Sequence, residues 1–241
     1  MLIKVGWGGC FNLLLYLGGM KMIRGLQAMV LLCILMVPVL IILFLRNFGE
    51  NKYDIPVYYE NGVTDPMGEC SYPKGQQHTI PEFSFVSQDN SNVGREQMDG
   101  KITVVDFFFT SCPSICPVMS EEMERVQDAF RNEEDVQIFS ISVDPGYDTP
   151  KVLSEYAEQH DATPGKWFFL NGPKKETYQL ARCGFVLPTI DGQGNPEDFI
   201  HSDKFVLVDG NGRIRGYYSG TKREDIDLLI LETKILLHDK E

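Results

Sequence analysis

The residues best suited to chemistry lie together in Phe107 to Pro117, FFFTSCPSICP. Cys112 and Cys116 stand behind a run of β-branched and aromatic residues and just ahead of a helical pattern. A dithiol at such a strand-to-helix junction places one sulfur in the loop and the other near the helix N-terminus. There, unpaired backbone N–H groups stabilise thiolate and lower its pKa. Thiolate is both the nucleophile of disulfide exchange and a soft metal ligand, so the pair supports either chemistry. A C-x-x-x-C spacing suits two sulfurs converging on one metal ion. The bland alternative is two buried cysteines that happen to be neighbours, and it fits poorly with the flanking Pro113 and Pro117.

The elements that must position this pair alternate from Ile80 onward. Phe83 to Ser87 reads as a short strand followed by a polar turn at Gln88 to Gly94, and Ile102 to Phe109 as a central buried strand. Met119, Met123, Val126 and Phe130 then recur at helical steps and give one apolar face, with Glu121 and Glu122 in the early turns. Val136 to Val143 is the next strand and ends at Asp144-Pro145-Gly146. Thr149-Pro150 opens a helix that runs through about Gln159, Trp167 to Leu170 forms a strand, and Lys174 to Arg182 a helix. Lys204 to Val208 pairs with Ile214 to Tyr218 across Asp209-Gly210-Asn211-Gly212, and Arg223 to Leu237 closes the chain as a helix. This pattern predicts a three-layer α/β sandwich with a mixed central sheet.

Charge divides the chain before that domain begins. Across 241 residues the net charge is −12, but the first carboxylate is Glu50, and residues 50–241 alone carry −16. A basic nucleic-acid binder is excluded, and the acidic part should be a globule that avoids nucleic acid and anionic lipid headgroups. Leu26 to Leu45, LQAMVLLCILMVPVLIILFL, is twenty residues without charge, the length a helix needs to cross about 30 Å of hydrocarbon. A cleaved signal peptide is the alternative, but the run exceeds an ordinary signal-peptide apolar core and no small-x-small cleavage site follows it. Pro38 kinks the span at a tolerable cost. Lys4, Lys21 and Arg24 before the span, against Arg46 and Lys52 after it, favour an inside N-terminus and an exported C-terminal domain. The expected organisation is a cytoplasmic segment at 1–25, a transmembrane anchor at 26–45, a Gly-, Pro-, Asn- and Tyr-rich tether at 46–78, and the domain at 79–241.

The run VVDFFFTSCPSICPVM, followed by SISVDPGYDTP and then FIHSDKFVLVDGNGRIRGYYSG, resembles the Sco/SenC family of membrane-anchored, thioredoxin-fold copper proteins. The resemblance covers about Ile80 to Leu237. It implies that Cys112, Cys116 and His201 bind copper. It also implies that the protein assists assembly of the binuclear copper centre of cytochrome c oxidase, some members being proposed as thiol-disulfide reductases as well. The implied partner is the copper-bearing oxidase subunit or another copper-carrying protein, and the implied location is a bacterial inner membrane with the domain in the periplasm. Family members commonly carry Asp immediately before the ligand histidine, where this chain has Ile200. The ligand chemistry agrees with copper: two thiolates and an imidazole suit Cu(I), thiolate with nitrogen also holds Cu(II), and a structural zinc wants four protein ligands. His201 as an ordinary loop histidine is the competing reading.

Asp106 lies six residues before Cys112, the spacing at which thioredoxins carry a buried carboxylate beneath their dithiol. It is a candidate proton acceptor, weighed evenly against a satisfied strand Asp. Asp144 is a candidate for orienting the metal loop, with a turn-capping role favoured. With the metal pair assigned, Cys70 and Cys183 are the other thiols in the exported part, and they form a candidate structural disulfide. Pro188-Thr189 resembles the cis-proline dipeptide of thioredoxins, although a long polar loop separates it from the Lys204 strand. His78, His160 and His238 read as surface or structural residues. Two further functions stay open: a thiol-disulfide oxidoreductase with Cys112 as nucleophile and Cys116 as resolving thiol, and a copper-sensing module without a delivery partner.

Overall fold

In the computed structural model, residues 24–48, 55–63, 70, 72, 75–187 and 202–238 are described. The chain divides into two units, Met1–Tyr53 and Asp54–Glu241. The first contains helix α1, Arg24–Phe48, 25 residues with Pro38 inside it. Every described side chain of α1, from Met29 to Phe44, is exposed. A helix apolar on all sides has no face suited to water. Among the described residues no helix is long and apolar enough to cross a membrane.

The second unit is built on a mixed sheet. Its described strands are β1 (Ser84–Ser87), β2 (Asn92–Gly94), β3 (Ile102–Phe108), β4 (Val136–Ser142), β5 (Trp167–Asn171), β6 (Lys204–Val208) and β7 (Ile214–Ser219), in the order β2-β1-β5-β4-β3-β6-β7. Strands β3, β4 and β5 run parallel, and the others pair antiparallel with their neighbours. All residues of β3 and β4 are buried, Thr103, Asp106, Gln137, Ser140 and Ser142 among them, as expected of central parallel strands covered on both faces.

Parallel neighbours need crossovers. Helix α2 (Cys116–Ala129) joins β3 to β4, and α3 (Pro150–Gln159) joins β4 to β5. Thr149 caps α3 by accepting the Val152 N–H, with Pro150 in the first turn, as the Thr-Pro pair predicts. A hydrogen bond of 2.7 Å between Ser120 and Tyr156 puts α2 and α3 on one face. An Arg125–Asp227 ion pair of 2.5 Å adds α5 (Arg223–His238) to that layer. Successive β3 side chains point to opposite faces. Phe108 meets Tyr156 of α3 at 5.4 Å, whereas Phe107 meets Phe185 at 5.5 Å on the other side. Phe185 follows α4 (Lys174–Gln179) and the wide turn Leu180–Gly184, so the expected three layers are present.

Three features depart from the sequence reading. The segment Gln88 to Gly94 is not all turn, because Asn92–Gly94 pairs with β1; three residues are too few to show a period. The helix expected over Lys174 to Arg182 opens into a π turn, in which the Phe185 N–H reaches the Leu180 carbonyl at 2.9 Å. The tether does not run free to residue 78. Ile55 is buried, the Tyr58 N–H bonds the Ile214 carbonyl at 2.9 Å, and Arg215 donates to the carbonyls of Ile55 and Pro56. This segment covers the open edge of β7, whose unpaired backbone groups need partners, so the compact unit begins at Asp54 rather than at 79. Pro188 and Thr189 lie outside the described residues.

Candidate metal centre

The pair of thiols sits where β3 gives way to α2. Beyond Phe108 the chain turns through Phe109 to Cys112, closed by the Cys112 N–H on the Phe109 carbonyl at 3.2 Å. Cys116 is the first residue of α2 and Pro117 the second, a position where Pro costs no hydrogen bond. Both cysteines are free and buried, and the Cys112 sulfur stands 3.6 Å from the Ser114 hydroxyl.

The two sulfurs differ in acidity. Burial pushes the Cys112 thiol up, but hydrogen bonds from the Cys116 thiol, the backbone N–H groups of Ser114 and Cys116 and the Ser114 hydroxyl outweigh it and bring the group down to about 7. At Cys116 burial prevails and pushes the thiol up to about 12 against a backbone hydrogen bond at Phe109, aided by its bond to Cys112 and by the charges of Cys112 and Asp106. One sulfur is therefore a ready thiolate near neutral pH and the other holds its proton, the division of labour expected of a nucleophile and its partner.

Asp106 lies within β3, buried, on the face shared with Phe108 and hence with α2. Its carboxylate accepts from Ser140 at 2.5 Å, and Ser140 in turn accepts from the Trp167 indole at 2.9 Å. Burial raises it to about 7 against the pull of Ser140 and of its own N–H. It is thus a satisfied strand residue whose proton is held to unusually high pH.

Asp144 sits in the turn after β4. Its carbonyl accepts the N–H groups of Tyr147 and Asp148 at 3.1 and 3.0 Å, and its own N–H bonds Ser142. The carboxylate that reaches the dithiol loop is Asp148, four residues on, which bonds the backbone and hydroxyl of Thr110. Sequence reasoning passed over Asp148. The available signal was a second acid in Asp144-Pro145-Gly146-Tyr147-Asp148-Thr149, placed directly before the cap of α3.

His201 lies outside the described residues, and among those that are described no group of three His, Cys, Asp or Glu side chains converges as a metal site. What is described is the chain that follows it. Strand β6 pairs antiparallel with β3, Val105 opposite Val206, so the first residues of β6 lie beside the end of β3 that leads into the dithiol loop. Cys70 and Cys183 form a disulfide with a Cα separation of 5.5 Å. Beside it, His78 donates to the Gly184 carbonyl at 2.7 Å. His160 pairs with Glu124 at 2.6 Å, so both histidines have structural partners.

The family model described as SCO1/SenC matches residues 71–235, more than half of the chain. The chain belongs to the SCO1/SenC family. A protein described as a SCO1 protein homolog from Bacillus subtilis (strain 168) is 31% identical over 217 residues, 89% of this chain and 97% of that relative. Among solved structures, BsSco is described as a member of the Sco family of cytochrome c oxidase assembly proteins in which a disulfide switch was identified. It is 32% identical with a TM-score of 0.57, over 66% of this chain and 93% of its own. Arabidopsis thaliana ScoI, solved with copper bound, is 27% identical with a TM-score of 0.54, over 66% of this chain and 99% of its own. The mixed sheet with its helical layers is accordingly the thioredoxin-like Sco fold.

Proposed function

We propose that this protein is a membrane-anchored copper metallochaperone that delivers copper to, or prepares the cysteines of, the binuclear copper centre of cytochrome c oxidase. The observation that carries this reading is the buried, free Cys112–Cys116 dithiol at the β3–α2 junction. Its two soft donors suit copper, which two thiolates hold in linear geometry as Cu(I), while a third nitrogen donor adapts the site to Cu(II). His201 is the proposed third ligand, supported by the position of β6 beside the end of β3 and by the family's copper-bound member. Copper is cargo here, and the domain's part is to offer a dry, preset pair of sulfurs.

The anchor is the 26–45 span within α1, supported by its apolar and exposed side chains from Met29 to Phe44. The reading places 1–25 in the cytoplasm and the domain in the periplasm of a bacterial inner membrane. The partner is the copper-bearing oxidase subunit or another copper-carrying protein.

The test is spectroscopic. Apo protein titrated with Cu(II) is expected to bind one ion per domain and to show an intense thiolate-to-copper absorption, which Cys112→Ser or Cys116→Ser abolishes. His201→Ala is expected to weaken Cu(II) more than Cu(I), because two thiolates suffice for the softer ion. Unchanged binding of both states would overturn the ligand set. The unequal acidity of the thiols favours one second reading, a thiol-disulfide oxidoreductase. In it the Cys112 thiolate attacks a target disulfide, and Cys116 then displaces the target thiol to leave a Cys112–Cys116 disulfide. That activity would survive His201→Ala intact.

A further inference from the structure

Asp148 is a fully buried carboxylate that neither the ligand set nor the thiol chemistry uses. It stands between β4 and α3, immediately before the cap residue Thr149. One oxygen accepts the Thr110 hydroxyl, and the other accepts the Ser142 hydroxyl at 2.5 Å and the Thr110 N–H at 3.2 Å. These donors are neutral, so among the described residues the charge is buried without a cation, and burial lifts its pKa against the pull of Ser142 and Thr110. Burying a charge away from any counter-charge is costly unless hydrogen bonds offset it. Such a group is worth asking what it holds.

It holds Thr110 twice, through backbone and side chain. Thr110 is two residues before Cys112, and the turn that follows is fixed by one further described backbone bond, from the Cys112 N–H to the Phe109 carbonyl. On its far side Asp148 is itself held, because the Asn171 amide donates to its carbonyl at 2.5 Å and to the Pro145 carbonyl at 3.0 Å. The chemistry also favours a carboxylate. The Thr110 N–H lies within reach of both oxygens, at 3.4 and 3.2 Å, and, unlike the two hydroxyls, it cannot accept, so an asparagine would set its NH2 against that N–H. The arrangement ties the loop after β4 to the loop after β3, at the ends of two adjacent parallel strands.

We propose that Asp148 is a positioning residue for the dithiol, fixing Thr110 and thereby where the Cys112 sulfur stands relative to Cys116. The inference rests on the reading of Cys112–Cys116 as the working pair. Held convergence of two thiols favours their disulfide, so a loosened loop makes that disulfide easier to reduce.

The experiment equilibrates the full chain, in detergent, with glutathione buffers and reads the Cys112–Cys116 dithiol–disulfide ratio by mass-tagging the free thiols. It is run beside thermal unfolding and the Cu(II) thiolate absorption. Asp148→Asn is expected to shift the equilibrium at least tenfold toward dithiol, equivalent to about 30 mV for a two-electron couple, and to displace the copper band. Ser142→Ala deletes a hydrogen bond to the same carboxylate without touching Thr110. It is expected to lower the unfolding temperature while leaving the equilibrium within twofold of wild type. Should Asp148→Asn fail to fold, Thr110→Val, which keeps shape and loses the hydroxyl, is expected to shift the equilibrium in the same direction, and Thr110→Ser to restore it. Wild-type equilibria in Asp148→Asn and Thr110→Val, or an equal shift in Ser142→Ala, would overturn the proposal. A wild-type protein without the thiolate band would instead overturn the copper reading, and the glutathione equilibrium would still decide the role of Asp148.

Discussion

At Cys112 and Cys116 burial raises both thiols, and they end apart because the hydrogen bonds Cys112 collects outweigh burial whereas at Cys116 burial prevails. Alkylation of reduced apo protein is therefore expected at Cys112 first, with a rate that rises with pH and reaches half its limit near 7, where the thiolate forms. Cys116 should stay unmodified over that range, and peptide mapping by mass spectrometry reads both. Asp106 gives a separate pH signature. An acid ordinarily at 3.8 and raised to about 7 binds a proton in the folded chain that the unfolded chain has already released. Stability thus falls as pH rises between those values, by at most about 1.4 kcal/mol per unit, and levels above them. Asp106→Asn removes this slope. Its stability relative to wild type, measured by urea unfolding, is expected to improve from pH 5 to pH 8, and a constant difference would show that Asp106 does not titrate in this window.

Among the elements, β3 and β4 announce themselves by their β-branched and aromatic residues, which suit strands covered on both faces. α2 and α3 follow from apolar periodicity and from Pro and Thr at their starts. The segment before β1 gave no such signal. Its contacts are backbone hydrogen bonds to β7, carbonyls taken by Arg215, and the Cys70–Cys183 disulfide, none of which leaves a period. That disulfide spans 113 residues of sequence, and closing so long a loop stabilises by about 2–4 kcal/mol in typical cases. A Cys70→Ser/Cys183→Ser double variant is expected to unfold at lower denaturant by that amount while keeping the thiolate–copper band. Loss of the band with the fold intact would tie this bridge to the metal site.

For the whole molecule, the acidic domain and the uncharged run 26–45 within α1 are two different solutes in one chain. The span is expected to keep the protein in the membrane fraction after an alkaline carbonate wash, with the domain open to protease from outside the cytoplasm. Release of the intact domain by the wash would contradict the anchor.

Charge asymmetry, the apolar span, the order of strands and helices and the C-x-x-x-C pair are local properties, each carried by residues adjacent in the chain or one helical turn apart. They follow from composition and period, and the SCO1/SenC match, over residues 71–235, takes in the strands, the helices and the C-x-x-x-C pair. Which carboxylate serves the dithiol loop is not local. Asp144 and Asp148 have similar sequence surroundings, and only the packing of the β4–α3 turn against Thr110 selects the second. The unequal acidity of Cys112 and Cys116 is likewise decided by tertiary structure, since it depends on which sulfur faces the donors and which the core. The docking of residues 55–58 on β7 was settled by an edge strand whose backbone groups required partners, and those partners came from far along the chain.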